Sequence, residues 1–319
     1  LSTPIEIENR AGLARVTCGW KKPDLPLDWV RRYWRDVHSP AIARRAGVYD
    51  YRHYQFDPVR SDLLAPVNGI ERACPPEAQL MWLSDVRYLD EESLTAFASS
   101  PEGLPKAELL ADIELIVERS TTYRAVGKNA WTHVDVTPTA APQGPVENPS
   151  YALFFRLRGA GRSAEAHFSA ALNALAARWA RIAGVLRLRL TLFERPDMEA
   201  ERKAGYPVKT HPLEQQYQAW IDLVLAHEGV APNLMSSDSG AELARCVSAL
   251  HIYPVRDVYT SVYAGRPTLV GLRGFSAYEA IRALGASNQE HPALLEWMYG
   301  PVAAGGPIVT AVPPPGHIP

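Results

Sequence analysis

Cysteine is scarce in this chain. Its 319 residues contain only Cys18, Cys74 and Cys246, an odd number without short ligand spacing, which argues against a disulfide framework and a CxxC zinc site. Three buried thiols are expected instead. An excess of charge of either sign is also missing: 33 Lys and Arg face 35 Asp and Glu, a net charge of −2, so no broad field attracts a phosphate backbone or an anionic bilayer. No apolar run approaches the roughly 18 residues of a membrane span, and the opening Leu1-Ser-Thr-Pro-Ile-Glu6 lacks the basic and apolar regions of a signal peptide. A cytoplasmic protein with no nucleic-acid or membrane partner is the expectation. There is no GxxxxGK[ST] phosphate loop, Gly159-Ala-Gly161 is not continued as GxGxxG, and Gly274-Phe-Ser-Ala-Tyr278 lacks the second glycine of a nucleophile elbow. NTPase, dinucleotide oxidoreductase and serine hydrolase readings are correspondingly weak.

What the sequence does hold is two long patterned stretches. A length of 319 residues suits two compact units of about 100–150 residues each, and the Pro- and Gly-rich stretch Thr137-Pro-Thr-Ala-Ala-Pro-Gln-Gly-Pro-Val146 reads as the linker. The expected organisation is a first unit over 1–140, a second over 147–275, and a C-terminal helical extension and tail over 276–319. In the first, 13–20 reads as a strand, 27–46 as a helix ended by Gly47, 48–56 and 80–89 as strands, and 90–99 as a helix opened by acidic residues. An added amphipathic segment over 107–122 and a last strand over 131–136 follow. In the second, the strands are 151–158, 185–193, 217–226 and 251–258, with helices at 164–182 and 240–250.

Both orders are β-α-β-β-α-β, the ferredoxin-like unit. Setting Gly47-Val48 on Gly184-Val185 puts a nine-residue strand after each glycine, the shared punctuation of a duplication. A single such sheet leaves one face bare, so the fold class expected is α+β, two fused ferredoxin-like units closing as a barrel around a common cavity. Beyond Val258, 259–263 and 268–272 read as a hairpin, 276–284 and 292–299 as helices, and the chain from Gly300 as a surface tail.

The segment Tyr33-Trp-Arg-Asp-Val-His-Ser-Pro40, continuing to Ala46-Gly-Val-Tyr-Asp-Tyr51, resembles the signature of the EthD family: a helix with Trp and His-x-Pro, a glycine, then a Tyr-bearing strand. Leu80-Met-Trp-Leu83 is similar to that family's aromatic strand, and Ala96-Phe-Ala-Ser-Ser-Pro-Glu102 to its helix ending in Ser-Pro-Glu. The resemblance covers about residues 13–136 and implies a dimeric α+β barrel fold, built here within one chain. The second unit is then a degenerate repeat, with Leu175 in the place of His38 and Ala177 in that of Pro40. Barrels of this superfamily include polyketide cyclases, lactone isomerases, metal-free monooxygenases and haem enzymes, so the resemblance implies a fold more than a reaction.

Candidate chemistry gathers in the first unit. His38 precedes Ser39-Pro40 within an amphipathic helix, where a ring held at a kink serves as an acid or base, or braces the helix. Arg35 and Asp36 beside it read as solvated. The following strand alternates Tyr49, Tyr51, His53 and Gln55 with Asp50, Arg52 and Tyr54. The glycine alignment turns the Asp50 face to the pocket, the resemblance favours Tyr51, and both faces stay open. Alternation puts Trp131, His133 and Asp135 on one face of the last strand, either an acid–base unit or a buried structural pair. Catalytic candidates are therefore His38, His133, Asp135 and Tyr51; candidates to bind substrate are His53, Arg52, Trp82, Trp131 and Trp220. No third ligand is spaced to complete a metal site. The function expected is a cofactor-free lyase or isomerase of the dehydratase or cyclase type, acting on a small hydrophobic, aromatic or polyketide-like molecule. A haem-binding barrel enzyme with His251 or His133 as axial ligand and a non-catalytic ligand-binding protein are the alternatives, and a homodimer stays open as the assembly.

Overall fold

The computed structural model describes residues 2–99, 106–196, 215–235 and 237–300; Ser100-Pro-Glu102 of the quoted motif and the tail beyond Gly300 lie outside them. The strands are β1 (Leu13–Lys21), β2 (Asp50–Phe56), β3 (Trp82–Tyr88), β4 (Val117–Val126), β5 (Ala130–Asp135), β6 (Gln143–Pro145), β7 (Ser150–Leu157), β8 (Val185–Leu192), β9 (Ala219–Leu225), β10 (Val247–Tyr263) and β11 (Arg266–Pro267). The helices used below are α1 (Pro4–Asn9), α2 (Leu27–Tyr33), α3 (Ser39–Ala43), α4 (Glu91–Ser99), α5 (Lys106–Ile116), α6 (Arg162–Trp179), α7 (Ser237–Cys246), α8 (Leu269–Arg273) and α9 (Phe275–Leu284).

Strand order defines the architecture. The first four strands lie as β4-β1-β3-β2 and β7 to β10 as β10-β7-β9-β8, antiparallel throughout. Each is a ferredoxin-like sheet, with helices after its first and third strands. The chain is thus two fused ferredoxin-like α+β units. Long last strands join them: Val247–Pro254 of β10 pair with β7, and Val255–Val262 pair with β2 of the other unit. In the same way β4 pairs with β1, passes through the turn Gly127–Asn129, and continues as β5 alongside β8. The path from β4 round to β5 therefore returns to its own continuation, and the Glu194 amide donates to the Arg124 carbonyl at 2.8 Å across the seam. Such closure removes the exposed edges that invite aggregation.

One face of this sheet lines the barrel interior and the other carries the helices. At one end the interior is aromatic, with Trp20, Tyr54, Phe56, Tyr123, Phe154, Tyr217, Trp220 and Tyr253 packed together. At the other it is ionic. Arg52, Arg87, Arg187 and Arg189 surround Glu8, which α1 carries in from the N-terminus. Thr3 fixes that helix with a capping box, taking the Glu6 amide while Glu6 accepts from the Thr3 amide at 2.8 Å. All three cysteines are buried free thiols.

Several expectations are corrected. The segment 107–122 is not one amphipathic stretch: the helix ends at Ile116 and β4 begins at Val117, since a run rich in Val, Thr and Tyr fits a ladder on β1 better than a helix. Residues 268–272 are not a strand. Thr268 accepts from the Gly271 amide at 3.0 Å and caps α8; a Cβ on Gly271 would meet the Ser261 carbonyl oxygen at 1.9 Å, so this helix packs directly on β10. The stretch 137–146 is more than a linker, because Ala140 and Ala141 pack on Tyr263 and β6 pairs with β10. Asp36 is not simply solvated: it accepts from the Phe275 and Ser276 amides at 2.8 and 3.2 Å and caps α9, with Arg35 beside it over the Phe275 and Tyr259 rings.

Candidate functional site

The helix face of the first unit encloses a cavity of about 350 Å³. Its floor is Arg15 and Thr17 of β1, Ser84, Val86 and Tyr88 of β3, and Tyr51 of β2; its roof includes Trp34, His38 and Ile42, with Phe97 of α4 and Ile113 of α5. Pro40 explains the local shape of the roof. A proline has no amide for the carbonyl four residues back and its ring crowds that carbonyl, and the preceding turn Trp34–His38 widens to a π-helix in which the Ser39 amide reaches Trp34. The Trp34 and His38 rings lie 4.1 Å apart.

Two hydrogen-bonded groups meet at this cavity. His38 Nδ1 is 2.8 Å from Asp112 Oδ2 of α5, and Asp112 also accepts from the Tyr33 hydroxyl. Burial pushes the Asp112 carboxyl up, but the bonds from His38 and Tyr33 and the His38 charge outweigh it and hold the group below the usual carboxylate range. A carboxylate on Nδ1 leaves Nε2 as the basic ring atom. In the second group, the Tyr51 hydroxyl is 2.9 Å from Ser39 Oγ and 3.4 Å from Ser84 Oγ, and Ser84 accepts from Trp34 Nε1 at 3.1 Å. Burial raises the Tyr51 phenol, so it stays protonated, and either hydroxyl of each pair can donate.

The two units differ sharply at matching positions. Gly47 and Gly184 both have positive φ, +82° and +90°, and the registers carry the match across the sheets. The row Tyr51, Val86, Arg15 answers to Leu188, Leu223, Tyr151, and the row His53, Ser84, Thr17 to Leu190, Ile221, Leu153. In the second unit these side chains, with Leu175 and Trp179 from the helix, form one apolar core. The same architecture is thus packed with leucine on one side and opened to polar groups on the other.

Other sequence candidates fall elsewhere. His53 lies behind Trp34, its ring 6.1 Å from Trp34 and 6.2 Å from Tyr259, and burial lowers it to about 3. Trp82 packs 5.1 Å from Trp34, over Gly19, where any Cβ would overlap its ring at 2.2 Å. Arg52 and Trp220 point into the barrel, Arg52 to Glu8 at 2.5 Å and Trp220 into the aromatic layer. A bulge between Thr132 and Val134 breaks the alternation of β5: Asp135 pairs with Arg187, whereas His133 keeps a buried Nε2 without a partner. His133 and Asp135 therefore form no dyad. Trp131 is half-buried under Lys128. His251 Nδ1 is 2.7 Å from the Tyr217 hydroxyl in the aromatic layer. Among the described residues no three His, Cys, Asp or Glu gather as metal ligands, and no helix is long and apolar enough to cross a membrane.

A second cavity, about 370 Å³, opens at the barrel mouth between the units, lined by Arg52, Tyr54, Arg187 and Asp222 among others. Asp222 is already satisfied there: Arg187 Nε is 2.6 Å and the Tyr54 hydroxyl 3.0 Å from it. The cavity expected between the units is thus present, but His38 and Tyr51 line a different one built from the first unit alone.

No protein-family model matches the chain, EthD included, and no curated protein matches it. Solved structures similar to it include a "putative monooxygenase" of Fusobacterium nucleatum (10% identity, covering 81% of this chain and 97% of that one, TM-score 0.45) and another of Lactobacillus acidophilus (8%, 79% and 97%, TM-score 0.43). An "anthrone oxidase-like protein" gives 9%, 80% and 94%, with a TM-score of 0.49. Likenesses of this degree leave the activity open, and the fold class rests on the strand order above.

Proposed function

We propose that the chain is a small-molecule enzyme of the lyase or isomerase type, with His38 as general base in the helix-side cavity. The observation that carries this reading is the bond from His38 to Asp112 at the wall of a largely apolar cavity. His38 Nε2 takes a proton from a carbon beside a carbonyl, the C–H electron pair becomes a C=C bond, and the carbonyl π pair moves to oxygen. Tyr51 and Ser84 donate hydrogen bonds to that enolate oxygen. The imidazolium, held by Asp112, then returns its proton to another carbon, giving an isomer, or to a departing hydroxide, giving water and a dehydrated product. Either path balances without an electron acceptor.

Proton abstraction is testable before the natural substrate is known. Aromatic 1,3-dicarbonyl probes incubated with the protein in D₂O should take up deuterium at the acidic carbon faster than in buffer. His38→Gln should lower the catalysed rate by about 10²–10⁴-fold with an unchanged circular dichroism spectrum. Exchange that proceeds equally in the His38→Gln variant would overturn the assignment.

A further inference from the structure

We infer that the ligand of this cavity carries an anionic group, a carboxylate or an aromatic enolate or phenolate, received by Arg15 and Thr17. This deepens the function proposed above and rests on it. Among the described residues the lining includes two guanidinium groups, Arg15 and Arg45, and no carboxylate. Arg45 is committed, donating to the Phe97 carbonyl at 3.0 and 2.7 Å and stacking on the Phe97 ring. The Arg15 side chain makes no hydrogen bond or ion pair with any described residue.

The ladder sharpens the imbalance. Arg15 stands directly opposite Arg124 of β4, and like charges facing each other across strands repel. Arg124 is neutralised by Glu91 and by Glu194 at 3.4 Å; Arg15 has no such counterion among the described residues, and an anion in the cavity supplies one. Thr17 lies two residues along the same face with its hydroxyl 3.0 Å from that of Thr122. When Thr122 donates to Thr17, the Thr17 proton is free for a ligand. At the matching place in the second unit stands Tyr151, neutral and bonded to Glu228 at 2.8 Å, so the cation belongs to the unit that has the cavity.

Position adds a length. Arg15 and Tyr51 share one row with β3 between them, so two interstrand spacings, about 10 Å, separate their Cα atoms. That matches a flat bicyclic body with its acid group at one end and its reacting carbon at the other.

Naphthalene carboxylate and naphthalene carboxamide share a shape and differ in charge, and their binding to the full chain can be compared by titration calorimetry. The carboxylate should bind roughly tenfold or more tightly than the amide, with an advantage that shrinks as salt rises. Arg15→Gln should abolish the preference and leave amide binding unchanged, while Arg15→Lys should keep part of it and guards against a variant that does not fold. Equal affinities in the wild type, or a preference that survives Arg15→Gln, would overturn the anion site while leaving the cavity's role intact. If neither molecule binds the wild type, the cavity is not a ligand site and the proposed function falls with this inference.

Discussion

At the residue scale, charge burial does opposite things in two places. Among the described residues the Asp112 carboxylate at the wall of the helix-side cavity has only neutral or ring partners, His38 and Tyr33. Glu8 is enclosed by four arginines, which together outweigh the cost of burying it and hold its carboxyl well below the usual range. Removing one member of such a cluster strands the others without a partner, so Glu8→Ala should cost about 3–5 kcal/mol, read as a lowered urea midpoint; an unchanged midpoint would show that the cluster is not coupled to folding. Two buried histidines give a pH dependence. Burial lowers His53 to about 3 and His251 to about 4, below the ordinary value near 6.5. Between those values and about 6.5 the unfolded chain binds protons that the native chain does not. Stability is therefore lost as pH falls from about 6.5, by up to about 1.4 kcal/mol per pH unit for each ring. Unfolding measured from pH 7 to 4.5 should show this slope, and His53→Phe should remove about one proton from it; an unaltered slope would contradict the assignment.

At the scale of elements, glycine and proline carried most of what the sequence made legible. Gly47 and Gly184 end the two first helices, and because both adopt positive φ the alignment drawn through them survives as true strand register. It also paired Asp50 and Arg52 with Arg187 and Arg189, all of which enter the ionic layer. Other features left no local trace. Asp112 lies 74 residues from His38, and no short pattern links a helix residue to a carboxylate supplied by another helix. The bulge in β5 inverted the expected pairing of His133 with Asp135, since one extra residue shifts every later side chain to the other face. Gly274 tests the junction of α9 with the segment Trp34–His38 that roofs the cavity. Its φ of 80° and ψ of 160° suit glycine almost alone, and a Cβ would stand 2.9 Å from the Asp36 carbonyl oxygen. Gly274→Ala should destabilise by about 1–3 kcal/mol and lower the melting temperature; a neutral substitution would mean that the α9 junction yields easily.

At the scale of the whole molecule, two copies of one topology are packed differently on their helix faces. Each lends its last strand to the other, so neither sheet is closed alone, and a fragment ending at Thr137 should aggregate or self-associate in sedimentation. The second unit fills its helix face with Leu153, Leu172, Leu175, Leu188, Leu190 and Trp179, while the first keeps His38, Tyr51 and Ser84 around open space. The most direct test of the proposed site gives the first unit one residue of the second. Ser84→Ile places at β3 the side chain that Ile221 supplies at β9; it fills the cavity and removes the acceptor of Trp34, with burial of the new side chain offsetting the lost hydrogen bond. Catalysed deuterium exchange, measured alongside the melting temperature, should fall to the rate in buffer while the melting temperature stays within a few degrees of wild type. Full exchange activity in a folded Ser84→Ile variant would contradict the claim that this cavity is where the chemistry occurs.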